Sequence, residues 1–415
     1  MKQINRNAFF LWLIIIHLSL TAFSQNNYFE YKFLYLQENQ FRNIQDTMLY
    51  GRLMQQFSKS RHTGTTDINI IHIGDSHLQA GFLPNAIRSN FQQYFSKDTN
   101  TNLGFVFPYA AAGTNNPGHY HSETTGKWKS IKTAQKSADH RQGVSGIILK
   151  TRDTSATLKI TLKDYFPRLE YHIQYAQILC QYPPSAYTLY VNGKKKLHTK
   201  SEHAVQVQFQ DAVDTLLLEI HKKDASSTAW FSLSGVVIKQ KEKCLNYHAM
   251  GVNGAKAISY LYNERFPKQI QRFHPDWIIV SLGTNEAYNC HFDKTQFHRN
   301  LTKLVNTLKQ HTDSAWILLT TPGNALRDNQ FENPNNATVR EIILQVAREL
   351  NCGYWDFYHV MGDAHAIHHW YQSNLTAPDK LHLNKAGYHL KANLFFDAFL
   401  QAFQHYCNNR HRFKQ

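Results

Sequence analysis

The sequence predicts an α/β protein, a parallel sheet flanked by helices, with an all-β sandwich or jelly-roll domain set into it. Three observations carry that prediction. Apolar, β-branched runs ending in short polar turns recur at Ile68–Ile73, Trp277–Leu282 and Trp316–Thr320, the texture of strands buried on both faces. Helical apolar spacing separates and follows the later runs, at Leu301, Leu304, Val305 and Leu308, then at Val339, Ile342, Ile343, Val346 and Leu350; strands alternating with helices imply crossover units and a parallel sheet. From about His119 to Lys243 the chain instead offers short strand-like runs at hairpin spacing, with alternation in Val205-Gln206-Val207-Gln208-Phe209 and a two-residue turn at Asn192-Gly193.

In chain order, residues 1–24 are a separate object. Lys2 and Arg6 precede an apolar run from Ala8 to Leu20, and Ala22-Phe23-Ser24 places small residues before Gln25. This is the pattern of a secretory signal cleaved after Ser24; the alternative is a retained anchor, for which the run is short. No other stretch is long and apolar enough to span a bilayer. Residues 25–118 form the first part of the α/β domain, with Asn26 to about Ser60 expected as a helical lead-in. Residues 119–245 form the inserted β domain and 246–415 the second part, closed by a helix after His382 that turns Leu390, Leu394, Phe395 and Phe399 inward.

The 415 residues suffice for two cores. Lys and Arg number 45 against 30 acids, a formal charge of +15, which steers a protein toward polyanions. No helix-turn-helix or zinc-finger spacing points to nucleic acid, and an exported protein meets cell-wall polymer or an anionic surface first. Five cysteines (Cys180, Cys244, Cys290, Cys352, Cys407) are odd in number and too few for a disulfide scaffold; export permits a bridge, and Cys180 and Cys244 share the middle segment, but the five are read as buried free thiols. His365, His368 and His369 have helix-compatible metal-ligand spacing, but no carboxylate accompanies them, so neither a metal nor another cofactor is called for.

The chemistry concentrates at four turns. Gly74-Asp75-Ser76-His77 ends the first buried run, where α/β sheets place their sites. Alone, Ser76 reads better as a helix cap than as a nucleophile. Asp379-Lys380-Leu381-His382 supplies a carboxylate and an imidazole three positions apart, the base and orienting group that a serine nucleophile needs; alone, those two read as a cap and a surface histidine. Gly251-Val252-Asn253-Gly254 and Gly283-Thr284-Asn285-Glu286 complete the set.

These four segments, in this order, resemble the blocks of the SGNH (GDSL-like) hydrolase superfamily. His77, Gly-Val-Asn-Gly-Ala, Gly-Thr-Asn-Glu-Ala and Tyr354-Trp355-Asp356 resemble more narrowly the branch that contains peptidoglycan O-acetylesterases. The resemblance covers about residues 67–113 and 247–403 and leaves the β-rich middle unexplained. It implies a flavodoxin-like sheet, Ser76 as nucleophile, His382 as base and Asp379 as its orienting carboxylate. It further implies an oxyanion hole made by the Ser76 and Gly254 backbone N–H groups and the Asn285 amide. Gly251 competes with Gly254 for that position, and Gly254 aligns better. Asp75 is expected to order its turn. His77 and Glu286 are candidates for lining the substrate pocket, with structural roles as the alternative.

The expected function is that of an exported serine esterase removing O-acetyl groups from a cell-envelope polysaccharide, most readily peptidoglycan, with the insert either gripping that polymer or acting as a spacer. The same triad would serve a lysophospholipase, a lipase or an acyl transferase. A glycan-binding protein with a relic site is the non-enzymatic alternative.

Overall fold

Five parallel strands set the frame. The computed structural model describes residues 28–64, 67–96, 99, 101–135, 140–165, 168–196 and 204–409; the expected leader and its cleavage point lie outside them. Taken in chain order, the parallel strands are Ile68–Gly74, Leu245–Gly251, Trp277–Ser281, Trp316–Thr320 and Gly353–Trp355. Their spatial order is second, first, third, fourth, fifth, with Phe41–Arg42 added antiparallel at the far edge. That is the flavodoxin-like winding, in which the direction of winding reverses between the first and third strands. The expected helical lead-in is partly different: a helix spans Thr47–Thr63, but residues 28–42 form short turns and the edge strand. That strand is pinned by Asn39, which accepts from Trp355 Nε1 at 2.9 Å and donates to the Leu394 carbonyl at 2.9 Å.

Alternation along each strand divides the core into two layers. Ile71, Ile73, Ile278, Val280 and Ile317 face the Lys294–His311 and Asn335–Glu349 helices. Ile68, Ile70, Trp277, Ile279, Trp316 and Leu318 face the Thr47–Thr63, Phe82–Phe95 and Lys385–Asn408 helices. The second layer is strongly aromatic. Phe399 is fully buried, with ring centroids at 4.7 Å from both Phe57 and Phe91 and 5.5 Å from Trp277.

The middle of the chain folds as two antiparallel sheets. One runs, in spatial order, Lys194–Lys196, Tyr187–Val191, Thr215–Lys222, Ser155–Leu162 and Tyr120–Thr125; the other runs Val205–Val213, Ile173–Gln181, Phe231–Lys239, Ile147–Thr151 and Lys129–Lys132. Gly104–Val106, ahead of the expected start of the insert, also pairs with Phe231–Lys239. The core between these sheets is continuous with the first layer of the α/β domain through Met250, Val252, Ala255 and Tyr260. The insert is therefore packed into the α/β domain instead of hanging from a linker. Among the described residues no helix is long and apolar enough to cross a membrane. None of the five cysteines forms a disulfide; Cys180, Cys244 and Cys352 are buried as expected, whereas Cys290 is exposed and Cys407 partly exposed, contrary to the expectation.

Because Phe399 touches three elements of the aromatic layer, Phe399→Ala should cost about 3–5 kcal/mol of stability. The drop in urea midpoint at unchanged m-value measures it.

Candidate active site

The register of the parallel strands brings four turns to one level. Gly74 lies opposite Gly251 on one side and Ser281 on the other, and Ser281 lies opposite Thr320. The chain segments that leave those positions carry Ser76, the 252–257 loop and Asn285, all at the carboxyl edge beside the reversal of strand order.

Asp75 precedes a one-turn helix, Ser76–Gln79, and its buried carboxylate accepts from the His77 N–H at 3.0 Å. This capping bond presents Ser76 half-exposed at the sheet edge. Ser76 Oγ lies 2.9 Å from His382 Nε2, and His382 Nδ1 lies 2.7 Å from Asp379 Oδ2. Asp379 Oδ1 also accepts from the N–H groups of Leu381 and His382, at 3.0 and 2.9 Å. This tight turn, with Lys380 in the left-handed region at φ 47°, folds the carboxylate back onto its own imidazole. Partial burial pushes the Asp379 carboxyl up. The hydrogen bonds from the His382 side chain and from the two backbone N–H groups outweigh it and hold the carboxyl below the usual range. An ionised Asp379 fixes the proton of His382 on Nδ1, which leaves Nε2 free to accept from Ser76. The arrangement can take a proton from a serine hydroxyl and stabilise the imidazolium that results.

The Gly254 loop is fastened on both sides of the glycine. Asn253 N–H donates to Gln79 Oε1 at 2.8 Å, the Ala255 carbonyl accepts from Asn285 Nδ2 at 3.0 Å, and Ala257 N–H donates to Glu286 Oε1 at 2.7 Å. Gly254 itself is exposed, at φ 78°, and a Cβ there would meet only Ala134 of the insert, at 3.8 Å. Its competitor Gly251 is buried against the serine turn, 2.4 Å from Gln79 N to the position of a Cβ. The other N–H of Asn285 is only loosely shared with Asp75 Oδ2, at 3.4 Å.

Of the remaining candidates only Glu286 is buried; His77 is partly exposed, and His365 and His368 lie on the surface. Glu286 is 8% exposed, and its bond to Ala257 makes it an anchor of the Gly254 loop; its contacts are those of the structural alternative. Burial pushes its carboxyl up to about 7. His77 Nδ1 bonds to Tyr388 Oη at 2.8 Å, and its ring packs 5.0 Å from that of His382. Burial and then the neighbouring His382 and Lys391 hold His77 well below the usual imidazole range, so it is neutral. Contrary to the expectation that no carboxylate accompanies these histidines, Glu332, distant in sequence, places its Oε1 3.1 Å from His365 Nδ1 and 2.7 Å from His368 Nε2, while His369 stacks on Phe33. Among the described residues no three His, Cys, Asp or Glu side chains converge as metal ligands.

Sequence reasoning passed over the layer beneath the serine. His72 joins Tyr247 Oη at 2.5 Å to Ser281 Oγ at 2.6 Å, and Ser281 Oγ joins Thr320 Oγ1 at 2.7 Å. Four adjacent strands are thus tied just below the site. Lys391, on the inward side of the last helix, is 8% exposed and places Nζ 4.0 Å from the centre of the Phe357 ring. With Asp75 and His77 it borders a cavity of about 30 Å³. Burial pushes Asp75 up to about 6, opposed by the His77 N–H and the Lys391 charge; burial pushes Lys391 down to about 8, opposed by Asp75. The signal was present in the sequence: Lys391 lies three and four positions before Leu394 and Phe395, on their apolar face.

Residues 229–390 match the family model described as the GDSL-like lipase/acylhydrolase family. That segment holds Gly254, Asn285, Asp379 and His382. A peptidoglycan O-acetylesterase superposes with a TM-score of 0.70 at 20% identity, over 85% of this chain and 96% of that one. The two share their fold over that length. A family two carbohydrate esterase from Cellvibrio japonicus aligns at 12% identity and TM-score 0.29, over 68% of this chain and 99% of that one. No curated protein matches the chain.

The raised carboxyl of Glu286 has a measurable consequence. Between about pH 4.5 and 7 the folded state holds a proton that the unfolded state has released, so stability falls as pH rises through that window. Glu286→Gln keeps the acceptor for Ala257 N–H and abolishes the titration. The variant should lose about 3 kcal/mol less than the parent between pH 5 and pH 8, as read by urea denaturation.

Proposed function

For this carboxylic ester hydrolase of the SGNH type, we propose that the ester is an O-acetyl group on a cell-envelope polysaccharide, most readily peptidoglycan, and that the protein meets it after export. The observation that carries the reading is the unbroken chain from Ser76 Oγ through His382 to Asp379, set at the sheet edge beside Gly254 and Asn285. Ser76 attacks the acetyl carbonyl carbon while His382 Nε2 takes the hydroxyl proton. The backbone N–H groups of Ser76 and Gly254 and the loosely held N–H of Asn285 receive the oxyanion. Collapse of the tetrahedral adduct breaks the bond to the sugar oxygen, which leaves with the proton from His382. Water, deprotonated by the same imidazole, then releases acetate and restores Ser76. Asp379 stays ionised throughout and stabilises the imidazolium.

The substrate class rests on three supports. The peptidoglycan O-acetylesterase that shares this fold also matches it over the β-rich middle of the chain, since the alignment spans 85% of the residues. The insert reaches the site, with Ala134 beside Gly254. The formal charge of +15 suits an anionic polymer. Export rests on the leader pattern of Lys2–Ser24.

Ser76→Ala and His382→Ala should each remove nearly all acetate release, and the double variant should be scarcely worse than either, because the two act as one unit. Asn285→Ala should lower kcat by about 10²–10³ with little change in KM. Full activity in folded Ser76→Ala protein would dismiss the triad.

On substrates, acetate release from O-acetylated peptidoglycan should exceed release of butyryl or longer groups from matched esters, and polymer turnover should fall with added salt as attraction is screened. Preference for long acyl chains would replace this reading with a lipase.

A further inference from the structure

On the outer face of the insert's six-stranded sheet, away from its core, three strands bring Lys150, Ser232 and Gln181 abreast: Ser232 pairs with Lys150 on one side and Gln181 on the other. The next residues, Leu149, Leu233 and Cys180, point inward and are buried. Above this row the sheet and the start of the Phe266–Gln271 helix enclose a surface cavity of about 360 Å³, whose wall includes Arg141, Lys150, Tyr182, Trp230 and Arg265. Among the described residues that line it three are cations and none is a carboxylate.

The wall pairs charge with flat apolar surface. Within the wall Lys150 Nζ lies 5.6 Å from the centre of the Trp230 rings, and Arg152, which does not line the cavity, places its Cζ 4.6 Å from that centre. Tyr182 stacks on the buried Phe231 at 5.2 Å, so its ring belongs to the core beneath the cavity and Trp230 is the aromatic surface of the wall. Arg265 donates to Gln181 Oε1 and so joins the α/β domain to the insert across the cavity. Planar guanidinium groups recognise carboxylates by paired N–H donors, and an aromatic face offers an apolar surface on which the C–H face of a sugar ring can lie.

The cavity is also tied to the site. Gly146, immediately before the Ile147–Thr151 strand, is at φ 68°, and a Cβ there would lie 2.7 Å from Val252 Cγ2, on the loop that carries Gly254. Two to four extended residues from Gly146 reach Ile148 and Lys150, so the cavity lies within about 20 Å of the oxyanion loop.

We propose that this cavity is a distal subsite for a carboxylate-bearing sugar unit of the polymer, which positions the chain while Ser76 acts on an acetylated unit further along. The proposal rests on the polysaccharide-esterase reading for its context, and its binding test does not depend on catalysis. Full-length Ser76→Ala protein is titrated, by calorimetry and Trp fluorescence, with N-acetylmuramic acid, a hexuronic-acid oligosaccharide and a neutral cello-oligosaccharide. At least one acidic probe should bind and the neutral one should bind about tenfold more weakly or not at all. Lys150→Gln and Trp230→Ala should each weaken acidic-probe binding about tenfold. In the Ser76-containing enzyme the same changes should raise KM for polymer, with kcat on polymer and kcat/KM for aryl acetate unchanged. Lys150→Gln, at a partly exposed position, serves if Trp230→Ala does not fold. Equal affinity for acidic and neutral probes, or unaltered binding in Lys150→Gln, overturns the subsite. Acidic-probe binding that Lys150→Gln loses, without acetate release from any polymer, keeps the subsite and overturns the esterase reading.

Discussion

The register of the strand Ile68–Gly74 between Leu245–Gly251 and Trp277–Ser281 governs the site. A shift of one residue would turn every side chain of that strand to the opposite layer and exchange the Ile71/Ile73 face with the Ile68/Ile70 face. Both faces are buried, so the register is enforced from two sides. The polar tie through Tyr247, His72, Ser281 and Thr320 adds a further lock across four strands. With Gly74 fixed, its carbonyl accepts from Tyr260 Oη at 2.6 Å, and the Ser76 turn and the Gly254 loop are held to the same edge.

The triad itself is economical in long-range contacts. Asp379 and His382 are organised by one local turn, and a single hydrogen bond joins them to Ser76, 306 residues earlier in the chain. The Gly254 loop depends instead on Gln79, Asn285 and Glu286, which come from two elements. Two of those, Asn285 and Glu286, lie on one short helical turn after the Trp277–Ser281 strand. The block that offers an amide toward the open side also anchors the neighbouring loop from within.

This arrangement requires buried charge. Asp75, Glu286 and Lys391 are each more than nine-tenths buried close to the serine turn. Asp75 and Lys391 offset one another, while Glu286 has its Oε2 atom without a hydrogen-bond partner. Such groups cost stability unless paired. The aromatic layer on the other side of the sheet, where Trp277, Trp316, Phe395 and Phe399 are buried, supplies compensating apolar burial.

By itself the sequence determined the strand-and-helix alternation, the β-rich middle and the residues of the four turns, because period, turn chemistry and local spacing are short-range properties. Asp379 and His382 were legible together since one turn contains both. Tertiary structure alone decided the rest. It showed that Glu286 faces inward to Ala257, since which face a residue takes after a left-handed glycine depends on what packs there. It joined Gly104–Val106 to the insert and merged the insert's core with that of the α/β domain, a choice made by contacts across 130 residues. It brought Lys391 beneath Asp75, although the sequence showed only a lysine on an apolar helical face. What a buried charge answers to is set by its neighbours in space, and those come from strands that periodicity cannot order.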